Sequence, residues 1–180
     1  MNSLSRILDK AAKQQRIDRD EALELASGAD MHTLGETARS VRHRRYGNKA
    51  FFVYNQHLNF TNVCINACRF CAYSKKKGQK GAYALNLEQV EKAIQDRIQE
   101  PIDEIHIVGG LNPELDYSYY LNLLGLVRKL RPKAAVKAFT AVEIAFLADE
   151  YGYTHEKILM DFAGAGLDAL PGGGAEVFSA

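Results

Sequence analysis

The spacing of the cysteines constrains this chain more than any other feature of its sequence. All three cysteines lie in one short segment with the pattern Cys64-x3-Cys68-x2-Cys71. Thiolates this close in sequence can face one point only if the backbone wraps around it, and sulfur ligands select zinc, Cu(I) or an iron–sulfur cluster. The segment therefore predicts a loop that holds a metal centre.

The number of cysteines narrows the choice of metal. A structural zinc site takes four protein ligands, whereas this segment supplies three. A [4Fe-4S] cluster is normally held by four cysteines, so three would leave one iron open to an external ligand, as in a catalytic centre. The alternatives are buried core cysteines, which the polar neighbours Asn66 and Arg69 disfavour, and a disulfide, which would leave one thiol over. The pattern favours an iron–sulfur cluster over zinc.

Charge and hydropathy limit the kinds of partner. The 180 residues include 23 Lys and Arg against 22 Asp and Glu, a net charge of +1, so there is no strong field to attract nucleic acid or an anionic membrane. No run of about 18 apolar residues could span a membrane, and residues 1–13 mix charged with apolar side chains, unlike a signal peptide. We expect a cytoplasmic protein with reduced thiols that binds a small molecule.

The first 49 residues predict a helical segment. Apolar residues recur at helical spacing, and Asp18 with Glu21 has the sequence of a capping box at the start of a helix. The basic run at residues 42–45 is interpreted as the solvated end of a helix, where the dipole favours positive charge, rather than as an anion site. We predict three helices, over residues 3–14, 18–28 and 30–45.

From residue 50 onward, short apolar stretches alternate with helical patterns. Helices are predicted to begin at Asn86, Asp116, Thr140 and Thr154. Alternation of strand and helix is typical of parallel β/α units, in which the carboxyl ends of the strands meet on one face. We predict strands over residues 51–54 with 58–60, 102–108, 134–139 and 167–170.

These strands predict half of a (β/α) barrel over residues 50–180. A complete (β/α)8 barrel needs about 250 residues, and the sequence offers four clear strands. We therefore expect a truncated barrel, the N-terminal part of a longer enzyme, which would not be competent alone. Its open strand faces would expose apolar Val108, Phe139 and Leu170.

Glycines and acids follow several of the predicted strands. A glycine pair after a strand allows close backbone approach to a ligand, or makes a simple tight turn, and Glu143 is either a ligand contact or a first-turn acid stabilised by the helix dipole. His57 and His106 have no partner at metal-ligand spacing and are interpreted as strand residues outside the site. The candidate residues are Gly109, Gly110, Glu143, Gly172, Gly173, Gly174 and Glu176.

The cysteine spacing, with aromatic Phe70 before the last cysteine, resembles the signature of the radical S-adenosylmethionine (SAM) superfamily. Over about residues 4–180 the chain resembles one family within it, the aminofutalosine synthases of the futalosine route to menaquinone. The dehypoxanthine futalosine cyclases and the deazaflavin cofactor synthase subunit are less similar at the stretches that begin at His106 and Lys137. The resemblance is carried by residues 59–64 (NFTNVC), 68–72 (CRFCA), 106–111 (HIVGGL), 137–144 (KAFTAVEI) and 170–176 (LPGGGAE).

The resemblance implies a fold and a set of cofactors. The fold would be the first half of a radical SAM (β/α) TIM-type barrel that follows the N-terminal helices. Cys64, Cys68 and Cys71 would hold a [4Fe-4S] cluster whose open iron is chelated by SAM. The candidate residues for SAM itself are Gly109, Gly110 and Glu143, with the glycines at 172–174.

The resemblance also implies a reaction. The reduced cluster would cleave SAM to methionine and a 5'-deoxyadenosyl radical, which adds to the enol-ether carbon of 3-[(1-carboxyvinyl)oxy]benzoate. Rearrangement with loss of the carboxylate as bicarbonate would give aminofutalosine. An external electron donor of the flavodoxin or ferredoxin type would reduce the cluster. The close alternatives are the cyclase and the deazaflavin synthase reactions.

Overall fold

Three helices make up the first of the two units into which the chain divides, Met1–Phe52. They appear in a computed structural model that describes residues 2–66 and 68–172. Asp18 and Glu21 form both hydrogen bonds of the predicted capping box, and the basic run fills the last turn of the third helix. The helices span Ser3–Ala12 (α1), Arg19–Gly28 (α2) and Met31–Tyr46 (α3).

A parallel sheet of three strands organises the second unit, Val53–Ala180. The strands are Asn55–Leu58 (β1), Glu104–Ile107 (β2) and Ala135–Ala138 (β3), in the order β1-β2-β3. A helix follows each strand, as β/α units require. These helices are Leu87–Gln95 (α4), Tyr117–Leu130 (α5), Ala141–Tyr151 (α6) and His155–Ala165 (α7).

The two faces of the sheet differ in chemistry. Strand residues point alternately to opposite faces, and on the helix-covered face Ile105, Ile107 and Val136 are fully buried. Burial of such side chains contributes about 1.5–3 kcal/mol each, which makes this face the core of the unit. The other face is polar: His57, His106 and Lys137 lie side by side in register across β1, β2 and β3.

The predicted alternation of strands and helices is confirmed, but two predicted strands are not strands. Phe51 and Phe52 are 81% and 86% exposed, and β1 begins only at Asn55, where pairing with β2 starts. Their aromatic composition favours a strand only where a neighbouring strand is present to pack against. Residues 167–170 form no strand either, because Ala169 makes a single isolated bridge with Lys137.

Phe139 does not lie on the open sheet face, so that part of the prediction is wrong. Its backbone is left-handed, with a φ of 59°, a conformation that costs about 1–2 kcal/mol for a residue with a side chain. The turn directs its ring into the core, where it is fully buried and its centroid lies 4.9 Å from that of Phe162. Val108 is half-buried, and Leu170 is 39% exposed.

The helices of the described residues are short or amphipathic. None of them combines the length and the apolar composition that crossing a lipid bilayer requires.

Candidate metal and cofactor site

Three chain segments leave the carboxyl ends of the three strands and lie at one edge of the sheet. β1 leads into the cysteine loop, defined as residues 59–74, and β2 leads into the glycine turn, defined as residues 109–112. β3 leads through Phe139 to Thr140, the cap of α6. Parallel strands bring such segments together, so the fold places the predicted site where barrel enzymes carry theirs.

Backbone hydrogen bonds join the cysteine loop to the glycine turn. The Ile65 N–H donates to the Leu111 carbonyl at 3.0 Å, and the Gly110 N–H donates to the Thr61 carbonyl at 2.9 Å. The two segments therefore form one structure rather than two independent loops.

The two glycines of the turn are needed for space, because neither has a left-handed backbone. A Cβ atom added at Gly109 would lie 2.6 Å from the Phe60 ring, and one added at Gly110 would lie 2.1 Å from the Val63 carbonyl oxygen. The same atom at Gly110 would come within 2.9 Å of Cys64 Cβ. In the structure, the close neighbour of both glycines is the cysteine loop, and their contact with SAM stays a prediction.

The three cysteines are free thiols at different depths. Cys64 and Cys71 are half-buried and Cys68 is exposed. Within residues 2–66 and 68–172, no three His, Cys, Asp or Glu side chains form a closed metal-binding group. Three reachable thiols on one loop nevertheless have the donor chemistry that an iron–sulfur cluster takes.

The environment of Cys71 favours its thiolate. Backbone N–H groups of Ser74, and to a lesser extent of Tyr73, lower the pKa of the Cys71 thiol. The thiolate is the form of cysteine that binds metals. The loop therefore favours the ionised form of Cys71, which the predicted role as a metal ligand requires.

Glu143 connects the glycine turn to α6. Its side chain lies in the first turn of α6 and forms a capping box there, accepting from the Thr140 N–H at 2.7 Å and the Thr140 hydroxyl at 2.9 Å. It also accepts from the Gly109 N–H at 3.1 Å. Burial raises the pKa of the Glu143 carboxyl, although the hydrogen bonds from Thr140 and Gly109 act in the opposite direction. A contact of Glu143 with SAM stays a prediction.

A buried polar network supports the cysteine loop and was not predicted from the sequence. The Asn62 side chain donates to the Gly81 carbonyl and accepts from the Tyr83 N–H, both at 2.8 Å. The Thr61 hydroxyl donates to the Tyr83 carbonyl at 2.8 Å and accepts from the Asn112 side-chain amide at 3.3 Å. The only signal was a run of small polar residues immediately after a strand.

The basic segment at residues 75–81 pairs with the cysteine loop through the backbone of its first residue. The Lys75 N–H donates to the Asn62 carbonyl at 2.9 Å, and the Lys75 carbonyl accepts from the Cys64 N–H at 3.0 Å. Composition alone could not reveal this pairing, because it depends on the backbone of Lys75 rather than its side chain.

The remaining candidates lie apart from these contacts. His57 and His106 stack with their ring centroids 5.1 Å apart, on β1 and β2 as interpreted from the sequence. Gly172 is exposed, while Gly173, Gly174 and Glu176 lie outside the described residues.

Two cavities differ in the residues that line them. One of about 340 Å³ lies beside the cysteine loop and is lined in part by Cys64, Ile65 and Lys76. A larger one of about 670 Å³ lies within the N-terminal helices. Of these two, the smaller cavity is the one that borders a predicted thiol ligand.

Fold and site together define an α/β protein of parallel β/α units with a three-thiol loop after its first strand. Residues 58–175 match the family model described as the radical SAM superfamily. The chain belongs to that superfamily, whose cofactors are generally a [4Fe-4S] cluster and SAM.

Two curated relatives align along nearly the whole chain. Aminodeoxyfutalosine synthase from Streptomyces coelicolor is 37% identical over 169 residues, which make up 94% of this chain and 44% of that protein. Cyclic dehypoxanthine futalosine synthase from Halalkalibacterium halodurans is 32% identical over 178 residues, or 98% of this chain and 48% of that protein. The chain thus spans under half the length of these relatives.

A solved structure supports the fold. The crystal structure of HydG, a maturase of the [FeFe]-hydrogenase, superposes with a TM-score of 0.63 at 18% identity. The match covers 94% of this chain and 45% of HydG. The β/α architecture is therefore shared, in accord with half of a barrel.

Proposed function

We propose that this chain forms the cluster- and SAM-binding part of an aminofutalosine synthase, which adds the 5'-deoxyadenosyl group of SAM to 3-[(1-carboxyvinyl)oxy]benzoate in menaquinone biosynthesis. The observation that carries the proposal is the contact of Gly110 with the backbone of the cysteine loop, in which an added Cβ would lie 2.1 Å from the Val63 carbonyl oxygen. This contact brings together two motifs that lie far apart in sequence. They meet at the carboxyl ends of the strands, where barrel enzymes carry their active sites.

The cysteine loop and the glycine turn would have different roles. Cys64, Cys68 and Cys71 would hold a [4Fe-4S] cluster with one iron left for SAM, and the glycine turn would keep the cysteine loop in place. When bound, the cluster and SAM supply the 5'-deoxyadenosyl radical. The protein contributes orientation and exclusion of water, and an external flavodoxin or ferredoxin would supply the electron.

The choice among related reactions rests on similarity. The relative named aminodeoxyfutalosine synthase has the higher identity of the two described above, 37% against 32%. The second candidate is the dehypoxanthine futalosine cyclase reaction, which the long alignment with the second relative favours.

Product analysis distinguishes the candidates. The full-length enzyme of which this chain is proposed to be a part would be reconstituted anaerobically and incubated with dithionite, SAM and 3-[(1-carboxyvinyl)oxy]benzoate, and the products separated by mass. We expect a product that retains the intact adenosyl group. The same incubation with the Cys68→Ala variant should give none of this product. A parallel incubation supplies dehypoxanthine futalosine as the only substrate, and its consumption with formation of 5'-deoxyadenosine would instead support the cyclase.

A further inference from the structure

The Lys76 ammonium group makes an unusual set of contacts with the cysteine loop. Its Nζ atom donates to three consecutive carbonyl oxygens, those of Cys64 at 3.2 Å, Ile65 at 2.7 Å and Asn66 at 3.1 Å. An ammonium group has three N–H donors, so the loop uses the full capacity of this side chain. The first of these three carbonyls belongs to Cys64, a predicted metal ligand.

The two neighbouring lysines act differently. Lys75 pairs with the loop through its backbone, as described above. The Lys77 ammonium forms an ion pair with Glu114, and 75% of the Lys77 side chain is exposed. Within the described part of the cysteine loop, Lys76 is the one of these three lysines whose ammonium group donates hydrogen bonds to it.

The backbone around Cys64 shows what the Lys76 contact does. The N–H groups of Cys64 and Ile65 donate to the carbonyls of Lys75 and Leu111, both at 3.0 Å. With those N–H groups already bonded to neighbouring segments, the carbonyls of the same residues are bonded to Lys76. Both sides of this backbone stretch are thereby fixed.

We propose that Lys76 is a positioning residue for the cluster: it sets the backbone that carries Cys64 and places a positive charge on the carbonyl of that predicted ligand. The proposal rests on the proposed function, because it assumes that a cluster binds at this loop. Cluster potentials depend on nearby charge and hydrogen bonds. A fixed positive charge stabilises the reduced cluster, which carries one more electron, and so raises its reduction potential.

The backbone role is tested on protein without a cluster. Amide hydrogen exchange at Cys64 and Ile65 would be compared among the unaltered chain, Lys76→Met, Lys76→Arg and the control Lys77→Met. We expect exchange at least tenfold faster in Lys76→Met, an intermediate rate in Lys76→Arg and no change in Lys77→Met. Equal rates in Lys76→Met and Lys77→Met would overturn this role. If Lys76→Met does not fold, Lys76→Gln takes its place.

The charge role is tested on reconstituted protein by EPR-monitored redox titration. We expect Lys76→Met to shift the equilibrium towards the oxidised cluster by up to tenfold, or about 59 mV for a one-electron couple. Lys76→Arg, which keeps the charge, should restore the potential, and Lys77→Met should change it less. A Lys76→Met potential equal to that of the unaltered protein would overturn the charge role. If the unaltered protein binds no cluster, the proposed function fails, while the exchange comparison still decides the backbone role.

Discussion

The two arms of the cysteine loop differ in how the protein holds them. The first arm, residues 62–66, is hydrogen-bonded to the Lys75 backbone, to Leu111 and to the Lys76 ammonium. In the second arm, residues 68–74, the described residues show one backbone-to-backbone hydrogen bond, from the Cys71 N–H to the Cys68 carbonyl at 3.1 Å, and the Tyr73 hydroxyl is hydrogen-bonded to the Tyr83 hydroxyl. Phe70 in this arm is 79% exposed.

This difference indicates how the loop would take up a cluster. The first arm presents Cys64 on a backbone that the fold fixes in advance. The second arm carries Cys68 and Cys71 with fewer restraints, so its ordering would be completed by the bonds to the metal, because metal binding and folding are coupled. Variants of residues in or against one of the arms test this difference.

The largest expected effect is loss of the cluster when a thiol is removed from either arm. Cys68→Ala and Cys64→Ala should each lower bound iron and sulfide at least tenfold, since two thiolates hold the cluster poorly. The apoproteins should differ: Cys64→Ala should cost about 1 kcal/mol in free energy of unfolding, because the side chain is half-buried. Cys68→Ala should leave it unchanged, because Cys68 is exposed. Equal stabilities of the two apoproteins would contradict the comparison.

A smaller but still large effect is expected at Gly110, which packs against the first arm. Gly110→Ala places a Cβ atom 2.1 Å from the Val63 carbonyl oxygen, and overpacking of this kind costs about 1–3 kcal/mol or more. Displacement of Cys64 should also reduce cluster binding. Urea denaturation and iron analysis measure the two effects.

The matched control for Gly110 is Gly125. It lies on α5 with no atom within 4 Å of an added Cβ, so Gly125→Ala should stabilise the helix by up to about 1 kcal/mol and leave the iron content unchanged. If both alanine variants behave alike, the close contact at Gly110 has no role in holding the first arm.

The smallest effect is expected at Glu143, which supports the first arm through Gly109. Glu143→Gln replaces one acceptor oxygen by an N–H₂ group facing the donors of Thr140 and Gly109. This change should lower the free energy of unfolding by about 1 kcal/mol at pH 4. Because burial raises the pKa of Glu143 above 4.5, the stability it contributes is present below pH 4.5 and is lost as pH rises. The stability difference between the two proteins should therefore shrink from pH 4 towards pH 7.

Glu100 provides a control of opposite sign. Its hydrogen bonds with Arg97 lower the pKa of Glu100 to about 2, so its contribution is present above pH 4.5 and is lost as pH falls towards 2. The stability difference for Glu100→Gln should accordingly grow from pH 2 to pH 5. A Glu143→Gln difference that also grows with pH would show that the Glu143 carboxylate is favoured in its charged form.

The features predicted correctly from the sequence are those determined by local residues. The capping box at Asp18 depends on a pair three residues apart, and the start of α6 at Thr140 depends on the cap residue itself. The alternation of apolar stretches with helices was enough to indicate parallel β/α units. The cysteine loop was placed correctly after a strand for the same reason.

The features that sequence did not predict depend on partners far along the chain. Residues 51–53 have strand composition, but within the described residues no backbone hydrogen bond joins them to a neighbouring strand. The burial of Phe139 depends on one left-handed residue. The contact between Asn112 and Thr61 joins positions 51 residues apart. The different restraint of the two cysteine-loop arms likewise arises from such distant contacts.

The most direct test of the account is the composition and spectrum of the centre bound at the cysteine loop. After anaerobic reconstitution, we expect about four iron and four sulfide ions per chain, the composition of a [4Fe-4S] cluster. The reduced protein should give an EPR signal that changes when SAM is added, because one iron is left open. Stoichiometric zinc without acid-labile sulfide, or a cluster whose spectrum is unaffected by SAM, would contradict the account.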